Sequence, residues 1–222
     1  MRRTKQEAER TRQTILVSAR RVFARHGVTR TTIGHVAREA GVTRGAVYWH
    51  FANKQALFGA MRDQVSLPLF DPPALTSTDE SDPLSAIDRF LRGLVDQIGD
   101  DLQTRRTFEI MSLKCEYVDE LRPELRRHLR RCHELRSKLE AVFERARKAG
   151  TLRQDVSPEL AALNTCVFIT GLLRLWLMDA DGGLVRPHVG KLIAGHIDML
   201  RGFDARQKKP RTDCVTNIGR GS

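Results

Sequence analysis

Aromatic side chains are scarce in this sequence, 6% of its 222 residues. Leu, Ala and Arg are abundant instead, a balance that disfavours sheet and suits helix. No run approaches the eighteen or so consecutive apolar residues of a membrane-crossing helix. The first dozen residues are polar and basic with no apolar segment behind them, so no secretory signal is expected either. Four cysteines, Cys115, Cys132, Cys166 and Cys214, are scattered without a Cys-x-x-Cys, and the Cys132-His133 pair has no mate at zinc-ligand spacing. No metal site and no cofactor is expected, and the thiols read as reduced and buried, with a redox-sensing role as the alternative. Catalytic signatures are missing too: there is no phosphate-cradling glycine loop, no His-Glu-x-x-His and no nucleophile elbow. Ser112 and Cys115 have no base partner identifiable in the sequence, which weighs against an enzyme.

What the chain has in excess is positive charge, unevenly placed. The formal net charge is +11. Residues 1–62 hold 13 Lys/Arg against 3 Asp/Glu, residues 63–200 hold 19 against 22, and residues 201–222 hold 6 against 2. A small basic head on a nearly neutral body is the electrostatic footprint of a polyanion-binding domain. A solvated charged face is the bland alternative, and it would not be so one-sided.

Apolar periodicity predicts an all-α chain of about nine helices. The first runs from about Lys5 to His26 with Ile15, Leu16, Ala19, Val22 and Phe23 on one stripe, closed by Gly27. Thr32 caps a short helix with Ile33, Val36, Ala37 and Ala40 inward, Thr43 caps another reaching about His50, and Asn53 caps a fourth bearing Leu57, Met61 and Val65. Between Leu67 and Pro83 the pattern gives way to prolines and a Thr/Ser/Asp/Glu run, a loop. Asp82-Pro83 and Ser157-Pro158 each read as an N-cap followed by a first-turn proline. A helix is expected from about Thr104 to Tyr117, a long one from Pro123 to Gly150, and a last one from about Pro187 to Phe203. The segment Cys166 to Met178 is apolar nearly all round, so it must be covered on both sides. The expected division is a basic arm and helix-turn-helix over 1–54, a helical body over 55–205, and a basic tail over 206–222.

The segment Thr31–Lys54 carries the most chemistry. Two short helices meet at Gly41, where a glycine lets the backbone reverse without a Cβ penalty, the construction of a helix-turn-helix whose second helix enters the major groove. Thr43 caps that helix and offers a hydroxyl and an N–H to a phosphate, and Arg44 has the fork for a guanine edge or a phosphate. Gly45 and Ala46 leave room for close approach. Val47 and Phe51, four apart, face inward, so Tyr48, Trp49 and His50 cannot all do so. Lys54 follows as a backbone-directed charge. Thr32, Thr43, Arg44, Gly45, Ala46, Tyr48, Trp49, His50 and Lys54 are the candidate DNA contacts.

Residues 10–58 resemble the DNA-binding domain of the TetR family of regulators. The resemblance rests on Ile15-Leu16, Ala19, Phe23, Gly27, Thr31-Thr32, Ala37, Ala40-Gly41-Val42, Thr43-Arg44-Gly45, Tyr48-x-His50-Phe51 and Asn53-Lys54. Ser18 and Val36 depart from it conservatively, standing where alanine and isoleucine are common. Arg2-Arg3-Thr4-Lys5, Thr104-Arg105-Arg106, Lys114-Cys115-Glu116 and Gly171–Leu177 extend the resemblance towards the multidrug-efflux repressor branch.

That resemblance implies a cytoplasmic, nucleoid-associated homodimer with no membrane partner. It implies binding to double-stranded, palindromic operator DNA and release by a small hydrophobic effector such as an antibiotic, dye or aromatic compound. Ile87, Phe90, Leu91, Leu94, Phe108, Met111, Leu135, Leu139 and Ile169 are candidates to line an apolar effector cavity, with Ser112 and Thr170 as polar anchors. Each of them also fits ordinary core. The eighth and ninth helices are the expected dimer surface, with Arg174 and Trp176 at or near its seam. A regulator of a metabolic or detoxification gene with one specific ligand, a helical small-molecule-binding enzyme and a nonspecific DNA-architectural protein are the competing readings.

Overall fold

The computed structural model describes residues 4–65, 72, 75–76 and 82–202 of the chain. Among these residues there are nine α-helices and no strand, only an isolated bridge between Leu152 and Arg201. Most of the expected loop between Leu67 and Pro83, Phe203 and the basic tail lie outside the described residues.

Four helices form the head. Helix α1 (Lys5–His26) opens on a capping box: Thr4 Oγ accepts from the Glu7 N–H at 3.2 Å while the Glu7 carboxylate accepts from the Thr4 N–H. Its buried stripe of Ile15, Leu16, Ala19, Val22 and Phe23 packs on α2 (Ile33–Glu39) and α4 (Lys54–Arg62). Phe23 meets Phe58 of α4 edge to face, with centroids 6.1 Å apart. Burying each such side chain contributes about 1.5–3 kcal/mol. Helix α3 (Arg44–His50) hangs from this core by Val47, with Phe51 just beyond its end. Val65 is buried but lies past the end of α4.

The body is built from the remaining five helices. Asp82 accepts from the Leu84 N–H at 3.1 Å to start α5 (Pro83–Asp100), and Ser157 accepts from the Leu160 N–H at 3.1 Å to start α8 (Pro158–Met178). Both places match the cap-plus-proline reading. Helix α6 (Leu102–Leu113) starts earlier than expected because Asp101 caps it, accepting from the Gln103 N–H at 2.9 Å. It also ends four residues early: Tyr117 folds back in the following loop, its hydroxyl donating to the Met111 carbonyl at 3.1 Å. Helix α7 (Arg122–Lys148) packs most extensively against α8, and α9 (Val189–Leu200) against α5. A single 3-10 turn over Arg186–His188 precedes α9, so that helix starts later than expected.

Helix α8 averages a mean hydropathy of 1.6 over an eighteen-residue window, long and apolar enough by composition to cross a membrane. Thr165, Thr170, Gly171 and Arg174 interrupt its apolar run without lowering the mean below that level, which is why no uninterrupted run of that length stands in the sequence. Ala161, Ala162, Thr165, Ile169, Leu172, Leu173 and Trp176 are buried within the fold. The opposite side is bare: Leu160, Leu163, Leu175 and Met178 are exposed, and Val167 is 64% exposed. Trp176 is buried beneath the Arg186 guanidinium, 4.6 Å from its ring centroid.

Candidate DNA interface and effector cavity

The turn from α2 to α3 is shaped by side chains that satisfy helix ends. Thr32 Oγ accepts from the His35 N–H at 3.2 Å and Thr43 Oγ from the Ala46 N–H at 3.1 Å. Gly41 between them sits at φ 66°, where a Cβ would be strained. With Val47 and Phe51 turned into the core, the rest of α3 faces outward. Thr32, Thr43, Arg44 and Gly45 are exposed, Ala46 and His50 are half-buried, Tyr48 is 48% exposed and Trp49 is 73% exposed. His50 packs edge-on against Trp49 with centroids 4.5 Å apart. A Cβ placed on Gly45 would touch only Thr43 Oγ, at 3.8 Å. Nothing inside the fold needs a glycine there.

Lys54 is placed differently from a free surface cation. Its side chain is only 13% exposed; Nζ donates to the Thr29 carbonyl at 3.0 Å and pairs with Glu120 Oε1 at 3.0 Å. Glu120 belongs to the body, on the 3-10 turn Asp119–Leu121 ahead of α7.

Further joints tie head to body. The Val28 N–H donates to the Lys114 carbonyl at 2.9 Å. Buried Arg20 donates to Thr107 Oγ at 3.1 Å and to Gln64 Oε1 at 2.8 Å. Arg62 of α4 and Glu124 of α7 form a buried ion pair. None of these long-range partners is adjacent in sequence, and no spacing rule predicts them.

A cavity of about 250 Å³ opens between α6, α7 and α8. Phe108, Met111 and Ser112 line it from α6, His128, Cys132 and Leu135 from α7, and Cys166, Ile169, Thr170, Leu173 and Arg174 from α8, with Tyr117 closing one end. Of the candidates named from sequence, Phe108, Met111, Ser112, Leu135, Ile169 and Thr170 come together here. Ile87, Phe90, Leu91, Leu94 and Leu139 do not line it; they lie in the closed core. The inward face of α5 meets α7 and α9 instead, and a wide apolar stripe looks the same in sequence whether it meets side chains or space.

Most polar groups of the wall are already engaged. Arg174 Nη1 donates to the Ser112 carbonyl at 2.9 Å, and Thr170 Oγ to the Cys166 carbonyl at 2.9 Å. Tyr117 stacks on His128 with rings 16° apart, and His128 Nε2 lies 3.6 Å from Cys132 Sγ. Burial first, and then the charges of Arg131 and Arg62, push the His128 pKa below its ordinary value, so the imidazole stays neutral. Burial pushes the Tyr117 phenol up, the Cys132 thiol up, and the Cys166 thiol up to about 11. Outside the cavity Cys115 is pushed up to about 12, by burial and then by Glu124 and Glu116. Thiols so placed remain protonated at neutral pH and are poor nucleophiles. Apart from Arg174, the wall is electrically neutral.

Comparison with known proteins finds the same two-part organisation. Residues 15–61 match the family described as bacterial regulatory proteins, tetR family, and residues 82–202 match the MAATS-type transcriptional repressor C-terminal region. The HTH-type transcriptional regulator TtgR of Pseudomonas putida is 36% identical over 213 residues, covering 94% of this chain and 100% of the relative. Among solved structures, NalD, the secondary repressor of the MexAB-OprM multidrug efflux pump in Pseudomonas aeruginosa, superposes with a TM-score of 0.78 at 32% identity, covering 87% of this chain and 98% of that one. A complex of SmeT with triclosan superposes with a TM-score of 0.73 at 25% identity, covering 93% of this chain and 99% of that one.

Proposed function

The chain belongs to the TetR family of bacterial regulatory proteins, and from that premise we propose that it is a homodimeric, cytoplasmic repressor of a multidrug-efflux gene, released from a palindromic operator by small hydrophobic effectors. The observation that carries this reading is where the cavity lies. Its wall includes the end of α6 and Tyr117, and the segment joining them carries Lys114, whose carbonyl holds the Val28 N–H of the head. An occupant that repacks this wall acts on the orientation of α3 without touching DNA.

Each part of the reading has its own support. Exposed Tyr48 and Trp49, beside Arg44 and the bare backbone of Gly45, suit a helix laid against base edges and phosphates. Phe108, Met111, Leu135, Ile169 and Leu173 offer apolar area with few unengaged hydrogen-bonding groups. Such a wall selects by size and greasiness more than by functional group. Triclosan, the compound in the SmeT complex, is of that chemical kind. The bare apolar side of α8, together with exposed Leu192 and Met199 on α9, is the surface a two-fold partner would cover as a four-helix bundle.

The test is a titration of the protein against DNA flanking its own gene at several salt concentrations, repeated with hydrophobic antibiotics and dyes. Tight binding that falls steeply with salt and is relieved by several of these compounds supports the reading. Binding that none of them relieves leaves a repressor and removes the multidrug assignment.

A further inference from the structure

Lys54 stands at the start of α4, directly after the recognition helix, in the basic head. Yet its ammonium is claimed from two sides, by the Thr29 carbonyl at 3.0 Å within the head and by Glu120 Oε1 at 3.0 Å from the body. Glu120 itself is half-exposed, at 51%, on a short 3-10 turn just after Tyr117 of the cavity wall. We propose that Glu120 holds Lys54 in the free protein and competes with an operator phosphate for it, so that a carboxylate on the body sets the affinity of the head for DNA. The inference rests on the reading that the α3–α4 turn faces the operator.

The chemistry permits an exchange of partners. A lysine ammonium is a compact point charge with three donors on a flexible stem. The Thr29 carbonyl anchors one donor at the head whichever anion takes the others. A half-exposed ion pair is weak in water, so it yields to the concentrated negative potential of a phosphate backbone while still opposing it. When the pair breaks, the freed Glu120 carboxylate takes up a cation from solution, offsetting part of the counterion release that accompanies phosphate binding.

The proposal is tested by a double-substitution cycle on the full-length protein, with operator affinity read by fluorescence anisotropy across a salt series. Glu120→Gln is expected to tighten operator binding about two- to fivefold and to steepen the dependence of log affinity on log salt by up to about one. Lys54→Gln is expected to weaken binding, and Glu120→Gln added to it should change nothing further. Overturning results are an unchanged affinity in Glu120→Gln, or a gain that persists in the Lys54→Gln background, which would reduce Glu120 to general repulsion of DNA. Lys54→Gln without effect would remove Lys54 from the DNA interface, and the competition with it, while operator binding itself still testified to the repressor.

Discussion

Val47, Tyr48 and Trp49 are consecutive, yet the structure gives them opposite surroundings, so substitution should separate stability from DNA binding at neighbouring positions. Val47 is fully buried. Val47→Ala removes two methyl groups at about 0.8 kcal/mol each and leaves a small void, about 1.5–2.5 kcal/mol in all. For a chain of this size that lowers Tm by about 3–10 °C. Tyr48 is 48% exposed and Trp49 73% exposed, so replacing either with alanine should change stability by no more than about 0.5 kcal/mol. Groove contacts are worth about 1–3 kcal/mol each, so Tyr48→Ala or Trp49→Ala should weaken operator binding by about 5- to 150-fold. Thermal melts and anisotropy titrations on the three variants check this directly. If Tyr48→Ala and Trp49→Ala both leave operator affinity intact, or both melt early like Val47→Ala, the orientation assigned to α3 is wrong.

Val167→Arg, on the bare side of α8, should leave the fold intact, convert a dimer to a monomer and abolish tight operator binding; light scattering with anisotropy reads both, and a dimeric variant would move the interface elsewhere. His128 and buried His196 both have pKa values pushed down by burial. The folded protein therefore resists taking up their protons, and stability is full above the ordinary histidine value of about 6.5 and falls as pH drops from there towards the folded pKa values. Tm should be lower at pH 5.5 than at pH 8, less so in His128→Gln/His196→Gln; a flat profile in the parent protein would contradict this. Cys166, with its pKa pushed up to about 11, should resist iodoacetamide at pH 7 in the folded protein and react quickly only once unfolded; rapid native labelling would restore a redox-sensing role.

Much of the fold is readable in the chain because local chemistry decides it. Thr32, Thr43, Asn53, Asp82 and Ser157 begin helices because a short oxygen acceptor meets an unpaired N–H, and Val47 and Phe51 turn inward because they are four apart. The cavity is half legible. Phe108, Met111 and Ile169 lie on apolar stripes, but the same stripes make Ile87, Phe90, Leu91, Leu94 and Leu139 equally eligible. Tyr117 and His128 escape a reading of the sequence: the fold-back onto the Met111 carbonyl has no turn-residue signature, and a half-buried histidine on a cationic helix reads as solvated. The bond from Arg174 to the Ser112 carbonyl escapes it too, because a sequence shows charge amid apolar residues but not which neighbour takes it. Lys54 looks like a free cation for the same reason, since Glu120 lies 66 positions away.

Control of the operator-bound state by the α6–α7–α8 cavity is tested most directly by operator anisotropy titrated with triclosan or another small hydrophobic aromatic compound. The titration compares the parent protein with Ile169→Trp, which fills the cavity from α8. Release of DNA is expected from the parent and little or none from Ile169→Trp. Equal release from both proteins would place the effector site elsewhere and contradict the role given to the cavity.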